Sequence, residues 1–230
     1  MKYPIVVLIM VVPVLFACPK KKKCSRSYKV ENPLSVYPLK ANYQIGDTIW
    51  FDLNFSNAVR ATTINNLNGS ESEGTVQMIN TDFHRNFLTF VELIDSTQTL
   101  EHQNWETWHK FSKKLAEGIV IRESENGVEY KLIYKNDQYH FKVGLVPKES
   151  GRFVCIPSFL LNQSVANPGN EAKITPGCDR EIITDVRFPV NRQPDGTYQN
   201  NAHLYFDYME DAVEQASFDT NQSFVFVVNP

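Results

Sequence analysis

Apolar and polar residues alternate strictly over residues 48–55. Ile49, Phe51, Leu53 and Phe55 fall on one face, and Thr48, Trp50, Asp52 and Asn54 on the other. A period of two with aromatic and β-branched residues predicts a half-buried strand, and Gly46-Asp47 before it predicts a turn. Similar runs predict strands over residues 75–79, 87–94, 119–122, 128–134, 139–145, 153–156, 182–190 and 223–228. Asn126-Gly127 and Lys135-Asn136-Asp137 read as hairpin turns. Residues 65–74 are polar, and residues 157–180 carry Pro157, Pro168-Gly169 and Pro176-Gly177, so both stretches read as loops.

Two stretches switch to helical spacing. Trp105, Trp108, Phe111 and Leu115 share one side, with Asn104 placed to cap and Gly118 to end a helix over residues 104–118. Leu204, Tyr205, Tyr208, Met209, Ala212, Val213 and Ala216 form a second stripe behind Asn201, the spacing of a core-packing helix face. Many strands with hairpin signals and two helices predict a mainly β fold, a β-sandwich with one or two helical insertions, in one domain over residues 43–230.

The N-terminus breaks this pattern. A basic start is followed by an apolar run from Ile5 to Ala17, interrupted only by Pro13. It is shorter than the roughly 20 residues of a spanning helix and matches a secretory leader, residues 1–17. Residues 18–42 follow as a basic tether and extended lead-in, where Pro33 and Pro38 forbid regular helix.

Charge sharpens the division. Residues 19–30 carry Lys20, Lys21, Lys22, Lys23, Arg26 and Lys29 and no acid; with these and Lys2 of the leader set aside, 16 basic against 26 acidic residues remain in the body. The tether is therefore the part drawn to an anionic lipid surface, at about 1 kcal/mol per lysine. The acidic body argues against a nucleic-acid partner. Of four cysteines, Cys18 ends the leader and Cys24 lies in the tether, so Cys155 and Cys178 are the expected disulfide. Closing that loop stabilises by about 3 kcal/mol in the chain-entropy model. No C-x-x-C occurs, which removes support for a zinc ribbon or a thioredoxin-type site.

Several of these segments carry resemblances. Leu15-Phe16-Ala17-Cys18 resembles the bacterial lipobox, which implies acylation of Cys18; Phe16 is bulkier than the small residue usual there. Glu149-Ser150-Gly151-Arg152-Phe153-Val154-Cys155 is similar to the D-x-G-x-Y-x-C stretch of immunoglobulin-like domains, with Phe153 lacking the tyrosine hydroxyl and no cysteine on the early strand at Ile49, Phe51 and Leu53. The lipobox, residues 43–50 and Gly144-Leu145-Val146-Pro147-Lys148 together look like an uncharacterised family of Gram-negative envelope lipoproteins. That resemblance implies an immunoglobulin-like sandwich and an outer-membrane lipid anchor, and carries no established activity.

Candidate chemistry is sparse. On a helix, His102, Glu106 and His109 would lie within about 60° of one another, an arrangement that suits zinc, but Lys113 shares that face and opposes a cation. H-E-x-x-H, G-x-S-x-G, Walker and G-x-G-x-x-G motifs are absent. Glu123 with Glu125, and Asp207 with Glu210 and Asp211, are carboxylate groups of the kind glycoside hydrolysis uses, and equally an ordinary wet surface. The polar stretch around Asp195 lacks the oxygen density of a calcium loop. Asp47-Thr48-Ile49 and Asp95-Ser96-Thr97 resemble short O-glycan acceptors, which strand edges and turns also explain. Trp50, on the polar face of its strand, is an aromatic that stacks on a sugar or partner unless an insertion helix covers it.

The expectation is a non-enzymatic binding or assembly module in the envelope, without cofactor or metal, anchored to the membrane and meeting an envelope protein or glycan. The alternative is an envelope hydrolase acting on glycans or peptides. Cys18→Ala is expected to abolish acylation and membrane retention, read by fatty-acid labelling and fractionation; unchanged acylation in the variant would contradict the lipoprotein expectation.

Overall fold

The computed structural model describes residues 26–78, 85–159, 163–164, 167–168, 170–171, 181–210 and 212–230. The chain forms β1 (Arg26–Glu31), β2 (Ser35–Tyr37), β3 (Asn42–Gln44), β4 (Ile49–Ser56), β5 (Ala58–Asn65), β6 (Glu71–Gln77) and β7 (Asn86–Glu92). Two 3₁₀ turns, Leu100–His102 and Trp108–Lys110, precede β8 (Phe111–Glu117), β9 (Ile119–Ser124), β10 (Gly127–Lys131), β11 (Ile133–Lys135), β12 (Gln138–Pro147) and β13 (Gly151–Phe159). Then come β14 (Gln163–Ser164), β15 (Asn167–Pro168), β16 (Asn170–Glu171), β17 (Glu181–Arg187), α1 (His203–Phe206), α2 (Ala212–Ser217) and β18 (Phe224–Asn229).

Most strands pair into three sheets. The first runs β16-β17-β1-β5-β6, the second β3-β18-β13-β7-β10-β9, and the third β11-β12-β4-β2 with β8 also on β12; β14 and β15 pair separately. The mainly β architecture follows from the alternation that predicted it. Ile49, Phe51 and Leu53 are 0 % exposed and Phe55 7 %, so β4 turns its apolar row inward as read.

Aromatic side chains join the second and third sheets face to face. Phe51 meets Phe90 edge-on at 5.4 Å between ring centroids, and Tyr130 stacks on Phe141 at 3.8 Å. Phe111 reaches Phe153 at 5.0 Å. Offset and edge-on pairs are the favoured ring geometries, each adding about 0.5–1.5 kcal/mol beyond the area it buries. Tyr28, Val30, Ala61 and Ile183 of the first sheet extend the same core, so residues 26–31 of the extended lead-in are built into the body.

The chain changes sheets at defined corners. Between β4 and β5, the Asn57 N–H donates to the Asp137 carbonyl at 2.8 Å, and the Asn57 carbonyl accepts the Met78 N–H at 2.7 Å. Between β8 and β9, Gly118 has φ +94°, and a Cβ there would stand 2.5 Å from Phe141 Cδ2. Only glycine satisfies both the left-handed backbone and that approach. Asn136 and Asp137, at φ 53° and 60°, form the two-residue turn between β11 and β12 that the sequence indicated.

Three expectations are corrected. The helix over residues 104–118 does not form: Phe111–Glu117 pairs antiparallel with β12, from Phe111 opposite Pro147 to Glu117 opposite Lys142. The sheet satisfies the backbone groups a helix would have satisfied, Phe111 still enters the core, and Gly118 is a strand corner rather than a helix end. The loop over residues 65–74 is shorter than read, because β6 begins at Glu71. The second helical stripe is two short helices; Tyr205 and Met209 pack with Leu93, Val154 and Val225 on the far face of the second sheet, while Val213 is 79 % exposed.

Cys155 of β13 faces the core, fully buried, and burial raises its thiol pKa well above the usual value. Cys178, its expected partner, lies outside the described residues, as do Cys18 and Cys24. The fully buried Tyr130 hydroxyl finds no hydrogen-bond partner among the described residues.

Phe51→Ala is expected to cost about 3–5 kcal/mol as a core deletion. Asp52→Ala should cost about 1 kcal/mol or less, and Tyr130→Phe should stabilise by about 1 kcal/mol by removing an unpaired buried hydroxyl. Urea midpoints of the three variants check the set; a Phe51→Ala midpoint equal to wild type would contradict the inward register.

Candidate functional site

The register that buries Phe51 also fixes what the outer face of the third sheet displays. One row across the strands is Tyr37, Trp50, Gly144 and Lys114; the next is Ser35, Asp52, Lys142 and Glu117. Gly144 lies directly opposite Trp50, and a Cβ on it would come within 3.0 Å of indole Cζ3 and of the Thr48 methyl. The missing side chain lets the indole lie across β12. Among the described residues its neighbours are cross-strand side chains rather than a covering helix.

Lys142 organises those neighbours. Its Nζ is 5.0 Å from the Trp50 ring centroid and 5.2 Å from that of Tyr37. It also stands 4.0 Å from Asp52 Oδ2, which accepts the Tyr37 hydroxyl at 3.0 Å. The Tyr37 hydroxyl beside the ammonium raises the Lys142 pKa. Partial burial, more than the nearby carboxylate, raises that of Tyr37. An exposed cation–π contact of this kind is worth about 0.5–1 kcal/mol. On the same face Lys114 donates to Thr48 Oγ1 at 3.3 Å, and His140 Nδ1 lies 3.5 Å from Glu117. The result is an aromatic platform with a fringe of donors and acceptors, suited to stacking against a ring or apolar face and to hydrogen bonding around it.

The larger recesses lie elsewhere. A cleft of about 460 Å³ is lined by Phe55, Pro189 and Pro194, with Glu31, Arg60 and Arg192 among its polar groups. A neighbour of about 280 Å³ adds Asp185, Arg187, Tyr198 and Asp219. Their carboxylates are already engaged. Glu31 binds Arg192 at 2.7 Å, Asp185 lies 3.3 Å from Arg187, and Asp219 accepts the backbone N–H groups of Asn221 and Gln222. Such surface ion pairs and turn caps are ordinary features of a sheet surface.

The sequence candidates disperse in the same way. His102 ends the first 3₁₀ turn, its Nδ1 2.8 Å from Thr99 Oγ1, and His109 lies in the second, so with no helix the shared face with Glu106 is not built. Among the described residues no group of three or more His, Cys, Asp or Glu is arranged to hold a metal. Glu123 accepts the Trp108 indole N–H at 2.8 Å and pairs with Lys113; the lysine first, then the indole, lowers its pKa. Glu125 and Glu106 flank a recess of about 500 Å³ beside Trp105.

Glu210 accepts from Ser96, and Asp211 lies outside the described residues. Asp95 and Asp195 cap their own turns through Thr97 and Thr197, and those hydrogen bonds lower both carboxyl pKa values. Asp47 caps a turn through the Gln44 N–H, its largest pKa-lowering contact. Sequence reasoning singled out Trp50 and missed Tyr37, Lys142 and Gly144. The available signal was Gly144 interrupting the polar row of an otherwise regular strand.

No family model, curated protein or solved structure matches the chain. Gly144→Val is expected to lift the indole from β12 at a cost of about 1–3 kcal/mol, as overpacking does. Tryptophan emission should shift red and become more accessible to acrylamide; an unchanged spectrum would contradict the cross-strand seat of Trp50.

Proposed function

We propose that the chain is an envelope lipoprotein, held at the outer membrane by acyl chains on Cys18, whose immunoglobulin-like β-sandwich is a non-enzymatic binding or assembly module. The Trp50 platform carries the reading: a partly exposed indole on the outer face of the third sheet, fringed by Tyr37, Asp52 and Lys142. Binding surfaces favour aromatic residues that offer a large rigid area, and a flat aromatic patch suits a glycan or protein partner. The charge-paired cleft offers a hydrolase less, because Glu31 and Asp185 are held by arginines rather than set opposite each other across open space.

The immunoglobulin-like assignment draws on β13. Its Gly151–Cys155 segment lies between β18 and β7, with Phe153 and Cys155 turned into the aromatic core. Lipid anchoring draws on the lipobox resemblance and the run of lysines behind it. More than one acyl chain gives stable attachment, at about 0.8 kcal/mol per buried methylene.

The test uses the acylated full chain as bait in detergent-solubilised envelope membranes, beside Trp50→Ala and Lys142→Ala. A partner or glycan retained by wild type and lost from both variants is the expected result. Equal retention by all three, or hydrolysis of envelope glycans or peptides by the purified chain, would overturn the reading.

A further inference from the structure

The β5–β6 hairpin ends in a short tip, Asn65-Asn66-Leu67-Asn68-Gly69-Ser70, and Leu67 on it is 80 % exposed. This is the most exposed large apolar side chain among the described residues. The tip is well tied. The Asn65 side-chain oxygen accepts the Leu67 N–H at 3.0 Å, and the Asn65 N–H donates to the Ser70 carbonyl at 2.9 Å. The Gly69 N–H donates to the Asn65 carbonyl at 2.8 Å, with Gly69 at φ +69°. The Asn68 side chain accepts from the Ser70 N–H at 3.0 Å. The leucine is therefore presented by a formed turn.

The stretch of chain that carries it is uncharged. From Ala61 to Ser70 the chain has no Asp, Glu, Lys or Arg, unusual in a body that carries 26 acids. Beyond the tip, Glu71 is paired with Lys29 at 3.4 Å.

The tip also stands where the described chain begins. Arg26 pairs with Asn65, and the Ser27 hydroxyl donates to Asn66 Oδ1 at 3.0 Å. Cys18 is eight residues before Arg26, so a fully extended link reaches at most about 28 Å. Four of those residues are Lys20–Lys23, which an anionic headgroup surface holds close. The opposite end of β5 meets the Asn57–Asp137 corner, so the hairpin tip and that corner face away from each other along the strand.

The geometry points to Leu67 and its uncharged hairpin tip as a second membrane contact, seated in the headgroup boundary of the bilayer that holds the Cys18 acyl chains. The occupant is a lipid surface. The length of chain before Arg26, its lysines and the point where it joins the hairpin all select that partner. A single exposed leucine on an uncharged turn, with Glu71 paired to Lys29 and the cationic Arg26 beside Asn65, suits shallow contact with an anionic lipid interface. The inference rests on the proposed lipid anchor.

The experiment reconstitutes the acylated full chain, carrying Leu67→Trp, into phosphatidylethanolamine–phosphatidylglycerol vesicles with lipids brominated near the headgroup. Lys135→Trp, beside the Asp137 corner, is the control. Acylation is first verified by mass spectrometry; its absence would be a failure of the anchor reading, which this inference would share.

With acylation present, added quenching and a blue shift are expected for Leu67→Trp and not for Lys135→Trp. Equal quenching of the two overturns the membrane contact while leaving the anchor standing. Hydrogen exchange of unsubstituted acylated chain is the second measurement: the amides of residues 65–70 should be slower on vesicles than in detergent. Slowing that instead follows protein concentration in detergent would make the tip a contact between copies and would also overturn the inference.

Discussion

The inward seating of Phe51 is the constraint on which the rest of the molecule depends. Its ring touches Phe90 and Phe224 across the sandwich, on strands far apart in sequence. A one-residue slip of β4 would bring Trp50, Asp52 and Asn54 inside and expel the apolar row. Burying each apolar side chain is worth roughly 1.5–3 kcal/mol, and an unsatisfied carboxylate or carboxamide costs about 1–3 kcal/mol, so both terms penalise the slip. The platform on the outer face follows from this. Trp50 stands opposite Gly144, and Asp52 opposite Lys142, because Phe51 stands opposite Val143.

The same register carries the chain into its corners. β4 leaves the third sheet at Asn57 and continues as β5 of the first, pinned by the turn that joins β11 to β12. β8 leaves at Gly118 and continues as β9, the last strand of the second sheet. The two corners are held differently: Phe141 packs under Gly118, and at the surface the Asn57 side-chain amide donates to the Tyr134 hydroxyl and to Asp137. Three sheets thus share one core without a long crossover between β4 and β5 or between β8 and β9.

Much of this was legible in the sequence, and the misses have a common cause. Clean period-two runs named β4 and β12, and Asn136-Asp137 named the turn before β12, because each signal is local. Residues 104–118 misled because Trp105, Trp108, Phe111 and Leu115 fit helical spacing by coincidence. What decides their structure is the edge of β12, some thirty residues later, which accepts Phe111–Glu117 as a strand. The metal grouping of His102, Glu106 and His109 fell with that helix, since it existed only on a helical surface. Tyr37 and Lys142 were invisible as partners of Trp50 for a related reason: cross-strand neighbours are set by pairing, which no single strand encodes.

In the lipid-anchored state proposed above, charge would add an orientation to this architecture. The carboxylates of the body would be repelled by the anionic surface that attracts the lysines before Arg26. A domain tethered in this way turns toward the lipid the part of its surface with least negative charge. Residues 61–70 are such a part, and they adjoin the point where the tether enters. The platform residues Trp50 and Lys142 sit on β4 and β12, in a different sheet from the hairpin that carries Leu67. In the proposed arrangement, lipid contact through the tip would leave the platform's own strands out of that contact. Screening would limit the effect to roughly 8 Å at physiological ionic strength, so it would act only on a body that the lysine run had already drawn to the surface.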